Sequence, residues 1–381
     1  MTGKPPPLAI YIHWPYCTRI CPYCDFNVYK SKGEDIDLVQ AILTDLKGWR
    51  EWSGPRHLNS IHFGGGTPSL LAPEEILTIV NKIKGLWGLP NGTEIALEAN
   101  PIDADERKWS GYCDAGINRL SLGVQTFNEF ALKTLGRDHD SKQALSALKL
   151  ASYIFPSVSA DIIFGWAGQT LNDLNLDIER ILESDVKHIS TYQLTIEPGT
   201  AFAKAETRGQ VRAVDTDVSA DFFEVIMDRL QQAGFGHYEV SNFAKSGHNS
   251  SHNLAYWRGY DYVGVGPGAH GRLVVEGKRV STIAALTPAQ YCGSVSKTGM
   301  GISDKETLSA EEWSEEYVLM GLRIDEGVSL SKYAEIRGKK MERSRFAPLI
   351  EEGLLSLNDN ELRATQKGRF LLNAVTDALL V

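Results

Sequence analysis

The stretch YIHWPYCTRICPYCDF, Tyr11 to Phe26, holds three of the chain's five cysteines, Cys17, Cys21 and Cys24, spaced Cys-x3-Cys-x2-Cys with no fourth. It directly follows an aromatic and β-branched run, LAIYIH (Leu8 to His13), that reads as a strand. A structural zinc site wants four closed ligands, usually from two knuckles well apart in sequence, and Cys113 and Cys292 supply no second knuckle. Zinc is therefore a strained reading, though an open one. A thioredoxin-type Cys-x2-Cys uses two of the three, and c-type haem attachment needs His where Asp25 stands. A four-iron cluster held by three thiolates keeps one iron open for a direct ligand.

Working outward, further strand-like runs occur at LNSIHF (Leu58 to Phe63), EIALE (Glu94 to Glu98), INRLSLGV (Ile117 to Val124), VSADIIF (Val158 to Phe164) and HISTYQL (His188 to Leu194). Between them DLVQAILTDLKGW, PEEILTIVNKIKGLW, SKQALSALKLAS and LNDLNLDIERILES carry apolar residues at helical spacing. Strand and helix alternate, so the fold class is α/β, with a parallel sheet of six strand-helix units that closes partway into an open (β/α)6 barrel. Chemistry in such a fold sits at the C-terminal ends of the strands. The cysteine loop, GGGTP (Gly64 to Pro68) and EANP (Glu98 to Pro101) all fall on that rim.

After Leu194 the alternation fades. A helix is predicted from about Thr216 to Ala233, and Gly234 to His270 shows no clear period. The tail reads as a small α+β, winged-helix-like unit: helices around AEEWSEEYVLMGLR and RFAPLIEEGL, a hairpin turning at Asn358 to Asn360, and a final helix KGRFLLNAVTDALL. The expected division is 1–235 for the barrel core, 236–300 for an extension and 301–381 for the tail unit.

The chain has 381 residues, 43% hydrophobic and 23% charged, the balance of a globular protein, with a net charge of −9. The tail carries 11 Lys and Arg against 15 Asp and Glu, so nucleic acid is not an expected partner. No run approaches the roughly 18 apolar residues of a membrane span, and the start, MTGKPPPLAIYIHW, lacks a signal or transit pattern. The expected location is a reducing cytoplasm, where clustered cysteines bind metal or do redox chemistry.

The cysteine spacing, with Tyr23 just before the last thiol, resembles the signature of the radical S-adenosylmethionine (SAM) superfamily. That resemblance implies a [4Fe-4S] cluster on Cys17, Cys21 and Cys24, an open iron chelated by S-adenosylmethionine, cleavage to a 5′-deoxyadenosyl radical, and an electron donor. FGGGTPS, LEANP, SLGVQTF, LGRDH and SADIIFGWAGQT are similar to segments of the oxygen-independent coproporphyrinogen oxidases and their relatives. By that likeness Tyr11, Tyr23, Gly65, Gly66, Thr67, Glu98, Gln125, Arg137, Asp161, Thr195 and His270 surround the cofactor. The glycines give the backbone close approach to its methionine end, and Glu98 holds ribose hydroxyls.

Two features depart from the oxidase: Phe26 stands where the oxidase has a further cysteine, and its leading extension has no counterpart ahead of Leu8. Instead HNLAYW, His252 to Trp257, resembles the His-Asn-x-x-Tyr-Trp motif of the HemW group of haem chaperones. The likeness implies haem as ligand, apo-haemoproteins as acceptors, His252 as axial ligand and Tyr256 and Trp257 as flat partners of the macrocycle. A packed, hydrogen-bonded role for His252 is the competing reading, with His248 and His237 as other candidates. Oxygen-independent coproporphyrinogen III dehydrogenation is the alternative activity, and radical chemistry on another substrate a third.

Overall fold

The computed structural model describes residues 5–31, 33 and 36–380. Lys4 of the proline-rich start and Val381 of the tail lie outside the described residues. Six parallel strands run in chain order across the sheet: β1 (Leu8–Trp14), β2 (Leu58–Gly65), β3 (Glu94–Ala99), β4 (Arg119–Gln125), β5 (Ser157–Phe164) and β6 (His188–Gln193). These are the six runs expected from sequence, with boundaries shifted by a residue or two. The helices Ile36–Ser53, Pro73–Trp87, Ser141–Ile154 and Leu171–Leu182 follow their predicted segments. A further helix, Glu106–Asp114, has too short an apolar stripe to stand out; it starts where the Asp105 carboxylate accepts from Lys108 N.

The strands alternate strictly. Ile10, Ile12, Ile61, Phe63, Ile95, Leu97, Leu120, Leu122, Val158, Ala160 and Ile189 are buried in one continuous core. The intervening positions, Tyr11, His62, Glu98, Arg119, Ser121, Ser159, Asp161, His188, Ser190 and Tyr192, line cavities inside the barrel. A parallel sheet covered on both faces normally reads as continuous hydrophobic runs. The polar register here faces two cavities instead of a covering layer.

The region without clear sequence period is part of the same sheet. β7 (Gly236–Glu239) and β8 (Asn242–Ala244) extend the β6 edge, with β8 antiparallel to β6. At the other edge β9 (Asp261–Val265) lies parallel to β1, followed by antiparallel β10 (His270–Val275), β11 (Lys278–Ala284) and β12 (Ile302–Thr307). β7, β8 and β9 are only three to five residues long, too short for a clear period, and glycines stand in β7, β9 and β10. Asp261, fully buried, fixes the β9 edge by pairing with Arg56 at 2.8 Å and Arg279 at 2.9 Å.

The segment His248–Tyr256 crosses the N-terminal ends of the strands. Arg119 Nη2 donates to the His248 and Asn249 carbonyls, Asn59 Nδ2 donates to Ser251 O, and Glu94 accepts the Ser251 and His252 N–H groups. The helix Ser251–Trp257 thereby closes the barrel floor, opposite the cysteine rim.

The tail packs helices Ala310–Gly321, Leu330–Arg337 and Arg343–Glu351 against a sheet of β13 (Val328–Ser329), β14 (Leu355–Asn358) and β15 (Glu361–Ala364). The hairpin turns at Asp359, which takes a left-handed φ of 54°. The predicted last helix is two, Gln366–Phe370 and Leu372–Leu380. Val318, Leu322, Leu362, Val375 and Leu379 form this unit's own core. No helix among the described residues is long and apolar enough to cross a membrane.

Candidate functional site

Cys17, Cys21 and Cys24 open into a cleft of ≈ 400 Å³ on the C-terminal rim. The loop that carries them is anchored from several sides. Pro22 O accepts from Phe202 N at 3.0 Å, and Tyr23 packs on the Phe202 ring. Gly136, in a left-handed turn at φ 73°, passes so close to the Pro22 ring that a Cβ there would stand 2.5 Å from its Cδ. Asn27 fixes the loop's exit: its amide donates to Pro267 O at 3.0 Å and Leu286 O at 2.8 Å, and its carbonyl accepts from His13 Nε2 at 2.9 Å.

Burial pushes the Cys24 thiol up to about 11, and the neighbouring Cys21 and Cys17 add to the rise while the Phe26 backbone opposes it. Cys17 is raised chiefly by burial, against a hydrogen bond from Thr67. Crowded, desolvated thiols of this kind ionise when a cationic centre takes them. Arg137 Nη1 reaches Cys21 Sγ at 3.4 Å, Nη2 binds Gly123 O at 3.0 Å and Asn100 Oδ1, and the buried Nε has no partner among the described residues. Among the described residues no three His, Cys, Asp or Glu side chains converge tightly enough for a single metal ion.

The same cleft is lined by Tyr23, Gly65, Gly66, Thr67, Glu98, Gln125, Arg137, Asp161 and Thr195. Gln125 sits at the end of β4 with φ 68°, a conformation a non-glycine residue holds only when its surroundings enforce it. Glu98 Oε2 accepts the Gly65 N–H at 3.1 Å. Burial raises the Asp161 carboxyl to about 6, with hydrogen bonds from Ser121, Ser190 and Ser159 opposing the rise.

The glycine loop also answers to contacts within the protein. Gly65 has φ 107°, and a Cβ there would meet the His13 ring at 2.5 Å; at Gly66 it would meet Tyr16 O at 2.6 Å. These glycines are required by neighbours within the protein, while their backbones line the cleft.

Two expected cofactor residues lie elsewhere. His270 is exposed at the start of β10 and is not part of the cleft wall. Tyr11 lines a second chamber of ≈ 220 Å³ deeper in the barrel, together with His62, Arg119, His188, His252 and Tyr256. The sequence reading also passed over Asn100, Ser121 and Tyr192, which face the cleft, and His62. Their signal was the polar half of each strand's alternation.

The HNLAYW residues do not present a common face. His252 is 2% exposed, with Nδ1 on Ser60 Oγ and Nε2 on Tyr256 OH, each at 2.9 Å. Burial, then the adjacent His62, holds its imidazole well below its ordinary pKa, and hence neutral. Tyr256 stands edge-on to Tyr262. Trp257 turns away, packing on Tyr238, Leu254 and Ile324 under the Arg323 guanidinium at 4.6 Å. The expectation of an imidazole open to iron is therefore not met in this geometry, because both ring nitrogens are already engaged.

The rim cysteines on a parallel barrel define a protein of the radical SAM type, and residues 11–181 match the Radical SAM superfamily model, residues 308–371 the HemN C-terminal domain. The chain is 35% identical to "Heme chaperone HemW" of Bacillus subtilis over 98% of this chain and 99% of the relative. It is 34% identical to the Escherichia coli protein of the same name, over 99% of each. It is 35% identical to the bovine "Radical S-adenosyl methionine domain-containing protein 1, mitochondrial", over 98% of this chain and 87% of the relative. The solved coproporphyrinogen III oxidase HemN of Escherichia coli superposes with a TM-score of 0.83 at 20% identity, over 98% of this chain and 90% of that one, a likeness of fold. The chain belongs to the HemW-type branch of the radical SAM superfamily.

Proposed function

We propose that this protein is a haem carrier that binds haem and passes it to apo-haemoproteins in the reducing interior of the cell. The observation that supports this best is the end-to-end similarity to proteins named haem chaperones, at 34–35% identity, against a likeness to the oxidase at 20% identity. Phe26, 62% exposed at the mouth of the cysteine cleft, adds to it by standing where the oxidase carries a thiol.

In this reading Cys17, Cys21 and Cys24 would hold a [4Fe-4S] cluster, and the chemistry it would supply is one-electron redox chemistry toward S-adenosylmethionine. Glu98 would accept hydrogen bonds from the ribose hydroxyls, and Arg137, 3.4 Å from Cys21 Sγ, would stabilise charge at the thiolates. Tyr23, Gly65, Gly66, Thr67, Gln125, Asp161 and Thr195 shape the remaining wall. Haem coordination by His252 needs the floor helix to open, at the cost of the Ser60 and Tyr256 hydrogen bonds, about 1 kcal/mol each. Once turned out, the ring would offer a nitrogen to iron, and Tyr256 and Trp257 would flank the macrocycle.

Anaerobic incubation of the reconstituted protein with haem or with coproporphyrinogen III, in parallel, tests the reading. A Soret band that shifts on titration, and no protoporphyrinogen IX at catalytic stoichiometry, are expected. The His252→Ala and His252→Gln variants should lose or shift that band while keeping the cluster, whereas His248→Ala should not. An unchanged spectrum in both His252 variants moves the ligand elsewhere, and catalytic turnover of coproporphyrinogen III replaces the carrier with a dehydrogenase.

A further inference from the structure

Glu98, Ser121, Asp161 and Tyr192 line both the cysteine cleft and the deeper chamber, so the two spaces meet at one polar partition. His62 stands on the chamber side of it. Its Nε2 donates to Glu98 Oε1 at 2.9 Å, while the other carboxylate oxygen takes the Gly65 N–H. A single carboxylate therefore joins the glycine turn of the cleft to a ring in the chamber.

That ring lies flat on the imidazole of His252, centroids 4.8 Å apart and planes within 19°. Among the described residues the His62 Nδ1 is buried without a partner, so Glu98 supplies the hydrogen bond that fixes the ring's rotation. Tyr11 covers the other rings at the same level, its centroid 6.0 Å from His62 and 6.3 Å from His252. The rings form one packed group, whose only described hydrogen bond to the partition is the one to Glu98.

We propose that His62 is a positioning residue that couples occupancy of the cleft to release of His252. A ligand whose hydroxyl groups take the Glu98 carboxylate withdraws the acceptor from His62. The His62 ring is then free to turn, and one face of His252 loses its support. This rests on the reading of Glu98 and His252 given above, and it deepens that reading by naming how the cofactor regulates the haem ligand.

Hydrogen–deuterium exchange at the imidazole C2 carbon of His252, read by mass spectrometry on the full cluster-reconstituted chain, tests the coupling with no haem present. Saturating S-adenosylmethionine is expected to speed that exchange about five-fold or more. Two variants divide the connection. His62→Phe keeps a flat ring against His252 and loses the donor to Glu98; His62→Gln keeps a donor and loses the ring. Neither should show the acceleration, with folding checked by thermal unfolding and cofactor occupancy by equilibrium dialysis. Unchanged exchange in the parent, or parent-like acceleration in either folded and occupied variant, overturns the proposal. Haem titration of His252→Ala fails or succeeds independently, so loss of the ligand assignment and loss of the coupling are separate results.

Discussion

Arg137 Nη1 stands 3.4 Å from Cys21 Sγ while Nη2 of the same guanidinium binds the Gly123 carbonyl, so one cation is shared between the cysteine loop and the rim of β4. Removing it in Arg137→Gln should make the reconstituted cluster harder to reduce, because a nearby positive charge favours the more negative state. A fall in midpoint potential on the order of tens of millivolts is expected from redox titration. An unchanged potential at full iron content would show that the charge is screened.

Cys17→Ala, Cys21→Ala and Cys24→Ala should each lose most iron and sulfide, since two thiolates remain for a centre that already lacks a fourth. Cys113→Ala and Cys292→Ala should load normally; neither residue lines the cleft. Iron, sulfide and visible absorbance across the five variants decide the assignment.

Gly65→Ala should act first on folding. It forces a side chain into φ 107° and drives a Cβ to 2.5 Å from the His13 ring, a loss of roughly 1–3 kcal/mol. Denaturant unfolding of the cluster-free protein reads this directly. A variant with parental stability would mean that the His13 side chain yields without cost.

The Asp161 carboxyl, raised by burial from its ordinary 3.8 to about 6, gives a signed pH effect. Folding favours its protonated form, so its contribution is fully present below about pH 4 and is lost as pH rises through 6. Asp161→Asn should therefore match the parent near pH 4 and exceed it above pH 7. Because the side chain faces an open cavity, the gain is on the order of 1–2 kcal/mol. Unfolding midpoints of parent and variant across that range give the difference; a constant offset would contradict the assignment.

The barrel strands were legible because apolar residues recur at every second position, as in Ile10 and Ile12 or Leu120 and Leu122, each run bounded by a turn. The cysteine loop and its glycine neighbours were legible because their spacing is local. The inner chamber was not: Tyr11, His62, Arg119 and His188 come from four strands, and their meeting depends on register rather than sequence proximity. His252 shows the same limit from the other side. Its motif marks the position, but only the fold shows that Ser60, 192 residues earlier, already holds the ring.

The pairing of β1 with β9 bears on how the chain is made. Leu8 lies in register with Asp261, and Ile12 with Val265. One edge of the first strand thus stays unpaired during synthesis until the ribosome has released Asp261–Val265, about 250 residues later. A long-lived open edge of apolar Leu8, Ile10 and Ile12 is prone to joining another chain, and such distant pairing slows folding. The nascent protein is therefore most exposed to misassembly while β1 waits for β9, and a chaperone that shields this edge would act in that interval.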